Sequence, residues 1–321
     1  MRIIRHISSF PQKLKGGAVA IGNFDGIHRG HQALIKQSRT LADLVRGPTL
    51  ALTFEPHPRN LFQPDAPPFR LTPFRSKARL LAGLGVDCLI SRRFDKQASL
   101  QSADDFVRDV LATGLGPRHV VVGYDFVFGH RRGGNVALLR EAGERLGFEV
   151  SVLEPVTHDD DVCSSTIIRV DLETGRCRRA AELLGHWWEV EGRVRRGDQR
   201  GRQLGFPTAN FHLPDTALRP ALGVYAIRFG LKEDGATVWY QGVANLGQRP
   251  TFDGKGIILE AHVFDFDQDI YGRHARIAFV EHLRAEQKFD GLDAIKAQIA
   301  LDCNRAREVL ADTGNALDRF A

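Results

Sequence analysis

Four cysteines are spread through 321 residues, and none stands in a Cys-x-x-Cys pair. Cys88, Cys163, Cys177 and Cys303 therefore supply neither a thiolate metal cluster nor a disulfide framework, and they read as free thiols of a reducing compartment. No apolar run approaches the roughly 20 residues that a membrane span needs. Met1-Arg-Ile-Ile-Arg-His runs into Ser-Ser-Phe-Pro-Gln-Lys without developing the apolar stretch of an export signal. The expectation is a cytoplasmic protein with no membrane partner. Zinc-finger spacing, a Gly-Lys-Ser/Thr phosphate loop, internal repeats and low-complexity stretches are missing too. A net charge of +5 without a basic block suits anionic small substrates, and no nucleic-acid partner is expected. Oligomeric state is left open, a homo-oligomer included.

What is present is the material for two soluble cores, with 43% hydrophobic and 26% charged residues. The first half alternates short β-branched runs with helical patterns. Residues 18–22, 49–54, 87–90, 119–123 and 148–153 read as strands. Helical spacing covers 30–45, with Leu34, Leu41 and Val45 on one stripe, and then 75–82, 103–112 and 135–145. Gly83-Leu-Gly85 and Gly114-Leu-Gly116 follow helices, so they read as helix ends rather than a dinucleotide fingerprint. This order predicts an α/β, doubly wound parallel sheet, with ligands at the carboxyl ends of its strands. From Trp187 the pattern changes to strands without intervening helices, at 187–194, 223–229, 237–244, 256–264 and 275–283. That predicts an antiparallel β-barrel closed by a terminal helix carrying Leu292, Ile295, Ile299, Cys303, Ala306 and Leu310. The expected domains are 1–184 and 185–321, and a fragment from about Gly185 onward is expected to fold alone.

The first strand ends in Gly22-Asn-Phe-Asp-Gly-Ile-His-Arg-Gly-His31-Gln32, where a helix begins. Two imidazoles, His28 and His31, thus flank a helix start whose unpaired N–H groups and dipole favour an anion. Gly26 and Gly30 let a phosphate approach the backbone. The stretch holds no cysteine, and no carboxylate in it reads as a nucleophile, so direct transfer by positioning and charge stabilisation fits. The metalloprotease spacing for zinc is absent, and His158-Asp-Asp-Asp161 reads as a solvated loop.

In the second half, Gly197, Gly201 and Gly205 stand four apart among Arg195, Arg196, Arg200 and Arg202, a loop able to cradle phosphates. Phe206-Pro-Thr208-Ala-Asn210 ends it with two neutral oxygen ligands two residues apart, which suits Mg²⁺ held with ATP phosphates. Glu260 shares a strand face with Ile258, His262 and Phe264. It reads either as a general base for a hydroxyl or as an ordinary exposed strand residue.

These motifs, with Phe54-Glu-Pro-His-Pro-Arg59, Gly123-Tyr-Asp-Phe-Val-Phe-Gly129 and Ser164-Ser-Thr-Ile-Ile-Arg169, resemble the prokaryotic bifunctional riboflavin kinase/FAD synthetase family. The kinase part of the resemblance rests also on residues 223–225, 242–251, 265–272 and 283–289. It implies that the barrel phosphorylates riboflavin to FMN and that the α/β half joins FMN to AMP, with ATP as co-substrate and Mg²⁺ as cofactor. By the same resemblance His28 and His31 stabilise the transferring phosphate. Gly22, Asn23, Gly30, Ser164, Thr166 and Arg169 contact nucleotide in the first site, and Gly197, Gly201, Arg202 and Gly205 in the second. Thr208 and Asn210 hold magnesium, and Glu260 is the base. Asp125 lies on the flavin side of the first cleft. Phe54, Phe62, Phe126 and Phe128 are candidates to stack on isoalloxazine, ordinary core packing being the competing reading for each. Residues 245–251 would form a loop that closes over the flavin with 284–289, including Arg284 and Phe289. His186-Trp-Trp188 departs from the family's usual Arg-Pro-aromatic at the domain junction. An adenylyltransferase for another phosphate ester, with a non-catalytic barrel, is the rival enzyme. A flavin- or nucleic-acid-binding protein that has lost catalysis is the rival from another class.

Overall fold

The computed structural model describes residues 1–196, 205–251 and 254–311. Two compact units divide them: Met1–Pro67 with Thr72–Ser164, and Pro68–Leu71 with Ser165–Ala321.

Strands that are apolar on both faces need cover on both sides, and the first unit supplies it with helices. Its elements run β1 (Arg2–Ile4), β2 (Ala18–Ile21), α1 (Arg29–Leu44), β3 (Thr49–Glu55), α2 (Pro58–Phe62), α3 (Phe74–Gly83) and β4 (Cys88–Arg93). Then come α4 (Lys96–Ser99), α5 (Ala103–Asp105), which continues as a wide π-type helix over Phe106–Leu115, β5 (His119–Gly123), α6 (Val136–Leu146) and β6 (Glu149–Leu153). A two-residue ladder, β7 (Thr157–His158) with β8 (Asp161–Val162), closes the unit. All pairings in the sheet are parallel and its order is β1-β4-β3-β2-β5-β6. Val19, Ile21, Leu50, Leu52, Ile90, Val120 and Val122 form one buried layer, with Leu111, Leu115 and Leu139 from the helices against it. Each such side chain contributes about 1.5–3 kcal/mol on burial. Chain order reverses between β2 and β5, so a crevice opens at their carboxyl ends.

The second unit begins with α7 (Ser165–Glu173) and α8 (Cys177–Leu184), so both helices before residue 185 pack with the strands that follow. Its strands are β9 (Trp188–Arg193), β10 (Ala209–His212), β11 (Gly223–Glu233), β12 (Ala236–Thr251), β13 (Gly254–Val263) and β14 (His274–Arg284), followed by α9 (Leu292–Ala311). The sheet is antiparallel in the order β10-β13-β12-β11-β14-β9, and its two edges meet at one bridge between Arg195 and Asn210. This is a curled, barrel-like sheet. Cys303, Ala306, Val309 and Leu310 of α9 pack on Val224, Val243, Ala278 and Val280, while Leu292 at the start of that helix is exposed.

Several expectations are corrected. Residues 245–251 are not a loop: they extend β12, whose pairing with β13 and β11 continues through Asn245 and Leu246. The buried side of α1 is Leu34, Ile35, Ser38 and Ala42, with Leu41 and Val45 at its margin. Pro68–Leu71 joins the second unit: Arg70 bridges Ala217, and the Trp188 indole donates to the Leu71 carbonyl at 2.9 Å.

Candidate active sites

The loop after β2 is built to hold two rings at the start of α1. His28 is the N-cap of α1, and its Nδ1 accepts from the main-chain N–H of His31 at 3.4 Å. With Nδ1 used as an acceptor, Nε2 is the ring's donor nitrogen. The two imidazoles stack with centroids 3.7 Å apart, and Phe24 meets His31 edge-on at 5.3 Å. Burial, reinforced by His28 and Lys77, holds the His31 imidazole well below its ordinary value, so it is neutral at pH 7. Its buried Nδ1 has no hydrogen-bond partner among the described residues. Gly30 leaves room for the His28 ring, since a Cβ there would lie 3.1 Å from Cε1 and Nδ1.

The loop itself is strained and pinned. Phe24, Gly26 and Ile27 have φ of 48°, 90° and 49°, costly for the two non-glycine residues. Asp25, the one carboxylate there, is turned inward to accept from the Thr72 N–H at 2.9 Å, while Gly26 N–H donates to Thr72 Oγ1 at 2.9 Å. Asn23 has an exposed side chain, but its carbonyl accepts from Lys77 at 2.7 Å and Thr53 at 3.2 Å. Gly22 is half-buried above the end of β2. The Cys163 carbonyl comes within 3.5 Å of where a Gly30 Cβ would lie, so the chain reaching Ser164 passes the start of α1. Thr166 and Arg169 lie on α7 in the other unit. Thr166 is exposed, and the Arg169 guanidinium donates to the Phe69 carbonyl at 2.8 Å and covers the Phe69 ring.

The aromatic candidates form a run along the carboxyl ends of the strands. Phe54 meets Phe94 and Phe106, Phe62 meets Phe94, and Phe126 stacks on Phe128 with centroids 5.3 Å apart. Phe128 is buried in the core against Phe106, whereas Phe126 is half-buried and Phe62 is 66% exposed. Asp125 is exposed beside them. Phe94, Phe106, Thr72 and Lys77 were not among the sequence candidates. The signal for Lys77 was its place in the apolar stripe of α3, with Ser76, Leu80 and Leu81.

In the second unit, register decides what meets. Asn210 of β10 pairs with Glu260 of β13, which pairs with Asn245 of β12, so three polar side chains stand in a row across three strands. Leu259, Ala261 and Val263 are buried on the opposite face of β13. The imidazole of His262 bonds the Pro207 carbonyl at 2.9 Å and meets Phe206 edge-on, tying the segment before Thr208 to β13. Thr208 lines a cavity of about 520 Å³ with Arg196, Ala261, Phe266, Asp269 and Tyr271, and the Arg196 guanidinium covers the Tyr271 ring. The volume suits a small organic ligand. Gly205 is exposed at the edge of this segment, while Gly197, Gly201 and Arg202 lie outside the described residues. Arg284 is held by Asp302 of α9 at 2.7 Å and lies over the Phe289 ring at 5.7 Å. Among the described residues no helix is long and apolar enough to cross a membrane.

Known proteins match both halves. The FAD synthetase family matches residues 10–167 and the riboflavin kinase family residues 184–310. The chain is 41% identical over 310 residues to the bifunctional riboflavin kinase/FMN adenylyltransferase of Escherichia coli (strain K12), covering 96% of this chain and 97% of that one. With the bifunctional enzyme of Pseudomonas fluorescens it shares 38% identity over 316 residues, 98% and 100% of the two chains. A crystal structure of a macrolide-efflux protein from Streptococcus pneumoniae matches with a TM-score of 0.84 and 29% identity, over 97% of this chain and 98% of that one.

Proposed function

The chain belongs to the bifunctional riboflavin kinase/FMN adenylyltransferase family, and we propose that its two reactions run at the two sites described, adenylyl transfer within 1–184 and phosphorylation within 185–321. It phosphorylates riboflavin to FMN and adenylylates FMN to FAD, with ATP as co-substrate in both steps. The observation that carries the assignment is chemical contrast. A stacked histidine pair stands at a helix start in one unit, and a carboxylate flanked by two amides stands in the other.

In adenylyl transfer an oxygen of the FMN phosphate attacks the α-phosphorus of ATP, and the bond to the leaving pyrophosphate breaks. His28 Nε2–H and the N–H groups of the first turn of α1 face the charge that develops, while His31 supports His28 from below. Gly22, Asn23 and Ser164 line the nucleotide. Phe54, Phe62 and Phe126 are the candidate aromatics not fully buried, and Asp125 is exposed next to Phe126. In the kinase reaction Glu260 takes the proton of the ribityl 5′-hydroxyl as its oxygen attacks the γ-phosphorus, and ADP leaves. Asn210 and Asn245 stand on either side of Glu260 in the strand register. The cavity beside Thr208 takes ATP. Arg284 and Phe289, braced by Asp302, border the flavin.

Thr208 and Asn210 offer neutral oxygens for magnesium; Thr208 lines the cavity with Asp267 and Asp269, and Asn210 stands beside Glu260. Mg²⁺ held by Thr208 and Asn210 would neutralise phosphate charge. Four buried thiols suit a cytoplasmic setting.

The test is to split the activities. His31→Ala should accumulate FMN, with FAD formation reduced on the order of 10²–10³-fold. Glu260→Gln should lose FMN formation by about 10²–10⁴-fold yet convert supplied FMN to FAD. Normal riboflavin phosphorylation by the Glu260→Gln protein would remove Glu260 from the mechanism.

A further inference from the structure

Lys77 lies on the inward face of α3 with a side chain wholly withdrawn from solvent. Packing alone would favour leucine or methionine there, because burying an ammonium costs several kcal/mol unless it is fully partnered. Its partners are specific. Nζ donates to the Asn23 carbonyl at 2.7 Å, to Glu55 Oε1 at 2.9 Å and to Thr53 Oγ1 at 3.4 Å. Thr53 in turn donates to the same Asn23 carbonyl. Lys77 thus ties the end of β3 to Asn23, near the start of the loop that carries His28.

That loop is held at three points. Lys77 fixes its entry, the Asp25–Thr72 exchange its middle and the His28 cap its exit. Between entry and exit lie the two left-handed non-glycine residues, Phe24 and Ile27, whose conformation persists only if the flanks are fixed. Lys77 alone among the three also brings a positive charge beneath a phosphate site.

We propose that Lys77 is a positioning residue for adenylyl transfer, clamping the Asn23 main chain so that residues 22–28 hold His28 and His31 at the nucleotide, with its charge behind them. This rests on the assignment of that reaction to His28 and His31. The titratable groups acting on His31 are His28 and Lys77, and the counter-ion of Lys77 is Glu55. Removing the ammonium therefore relaxes the loop and lets His31 take a proton more readily.

The experiment uses the full chain and four variants: Lys77→Met, Lys77→Arg, the double variant Glu55→Gln/Lys77→Met, which strands no carboxylate, and His31→Ala. FAD formation from FMN, FMN formation from riboflavin, and the His31 ring titration by NMR are followed together. The expected result for the methionine variants is FAD formation down about tenfold or more, FMN formation unchanged, and a His31 titration moved upward. Lys77→Arg keeps the charge, and its His31 titration stays low. If Lys77→Met does not fold, the double variant decides. Unchanged FAD formation and an unmoved His31 titration in the double variant overturn the proposal. So does a His31 titration moved equally in Lys77→Arg, since charge would then not be the agent. If His31→Ala itself retains FAD formation, the assignment of the site fails instead.

Discussion

Gly30→Ala is the sharpest probe of the first site. A methyl at residue 30 would sit 3.1 Å from two atoms of the His28 ring, about 0.3 Å inside ordinary van der Waals contact. The ring cannot yield freely, because it stacks on His31 at 3.7 Å and its Nδ1 caps α1. A 1 Å misplacement at a reacting centre can cost 10²-fold, so a shift of a few tenths should slow FAD formation roughly three- to tenfold. Stability should move the other way or not at all, since alanine is favoured over glycine in a helix by up to about 1 kcal/mol. FMN formation in the same protein is the internal control. The decisive assay is a double-mutant cycle with His28→Ala, which should cost on the order of 10²–10³-fold by itself. If Gly30 acts by leaving room for the ring, Gly30→Ala adds nothing on the His28→Ala background. Multiplicative effects would refute this, and would mean that Gly30 is needed for close approach of phosphate to the backbone.

Three further outcomes follow from the structure. A fragment beginning at residue 165 should melt above one beginning at 185, by about 2–4 °C per kcal/mol of lost packing, because Ala181 belongs to the core around Trp187 and the Leu172 carbonyl accepts from Ala221 N–H at 3.0 Å. Equal melting would show that α7 and α8 contribute nothing. His31 is held neutral in the native state while an unfolded histidine takes a proton below about pH 6.5, so its contribution is complete above that pH and lost as pH falls below it. Denaturant titrations from pH 7 to 5 should lose at most about 1.4 kcal/mol per pH unit from this group, and His31→Gln should remove that slope. Finally, burial pushes Cys88 and Cys303 up to about 11 and Cys177 up to about 12, and Cys163 upward too. All four thiols should resist a thiol reagent at pH 8 until the protein unfolds, and fast labelling of any of them in the native protein would contradict the packing described.

Elements whose own residues commit them to a state were legible in the sequence. Runs such as Leu50-Ala-Leu52 and Val120-Val-Val122 are apolar on both faces, which only a covered parallel strand tolerates. Elements decided by partners were not. β1 is three largely exposed residues that are a strand only because Arg2, Ile3 and Ile4 pair with Cys88, Leu89 and Ile90. β10 follows a proline and reads as the end of a turn, yet its register with β13 brings Asn210 beside Glu260. Residues 245–251, which include Asn245, Gly247 and Pro250, are held extended by the same neighbour.

The sites divide in the same way. His28 and His31 are three residues apart, so the helix start that unites them can be read locally, and their Gly30 falls within the same turn. The supports come from elsewhere in the chain: Thr72 is 46 residues from Gly26, and Lys77 is 54 residues from Asn23. No spacing rule reaches that far. What does reach is a conflict between residue type and pattern. A lysine in the apolar stripe of a helix must find a partner or unfold the stripe, so its presence announces an acceptor before the acceptor is known. Asp25, buried in a loop beside two histidines, poses the same question with the opposite sign, and Thr72 N–H answers it. In both cases the charge that looks misplaced along the chain is the one that fixes the geometry of the loop.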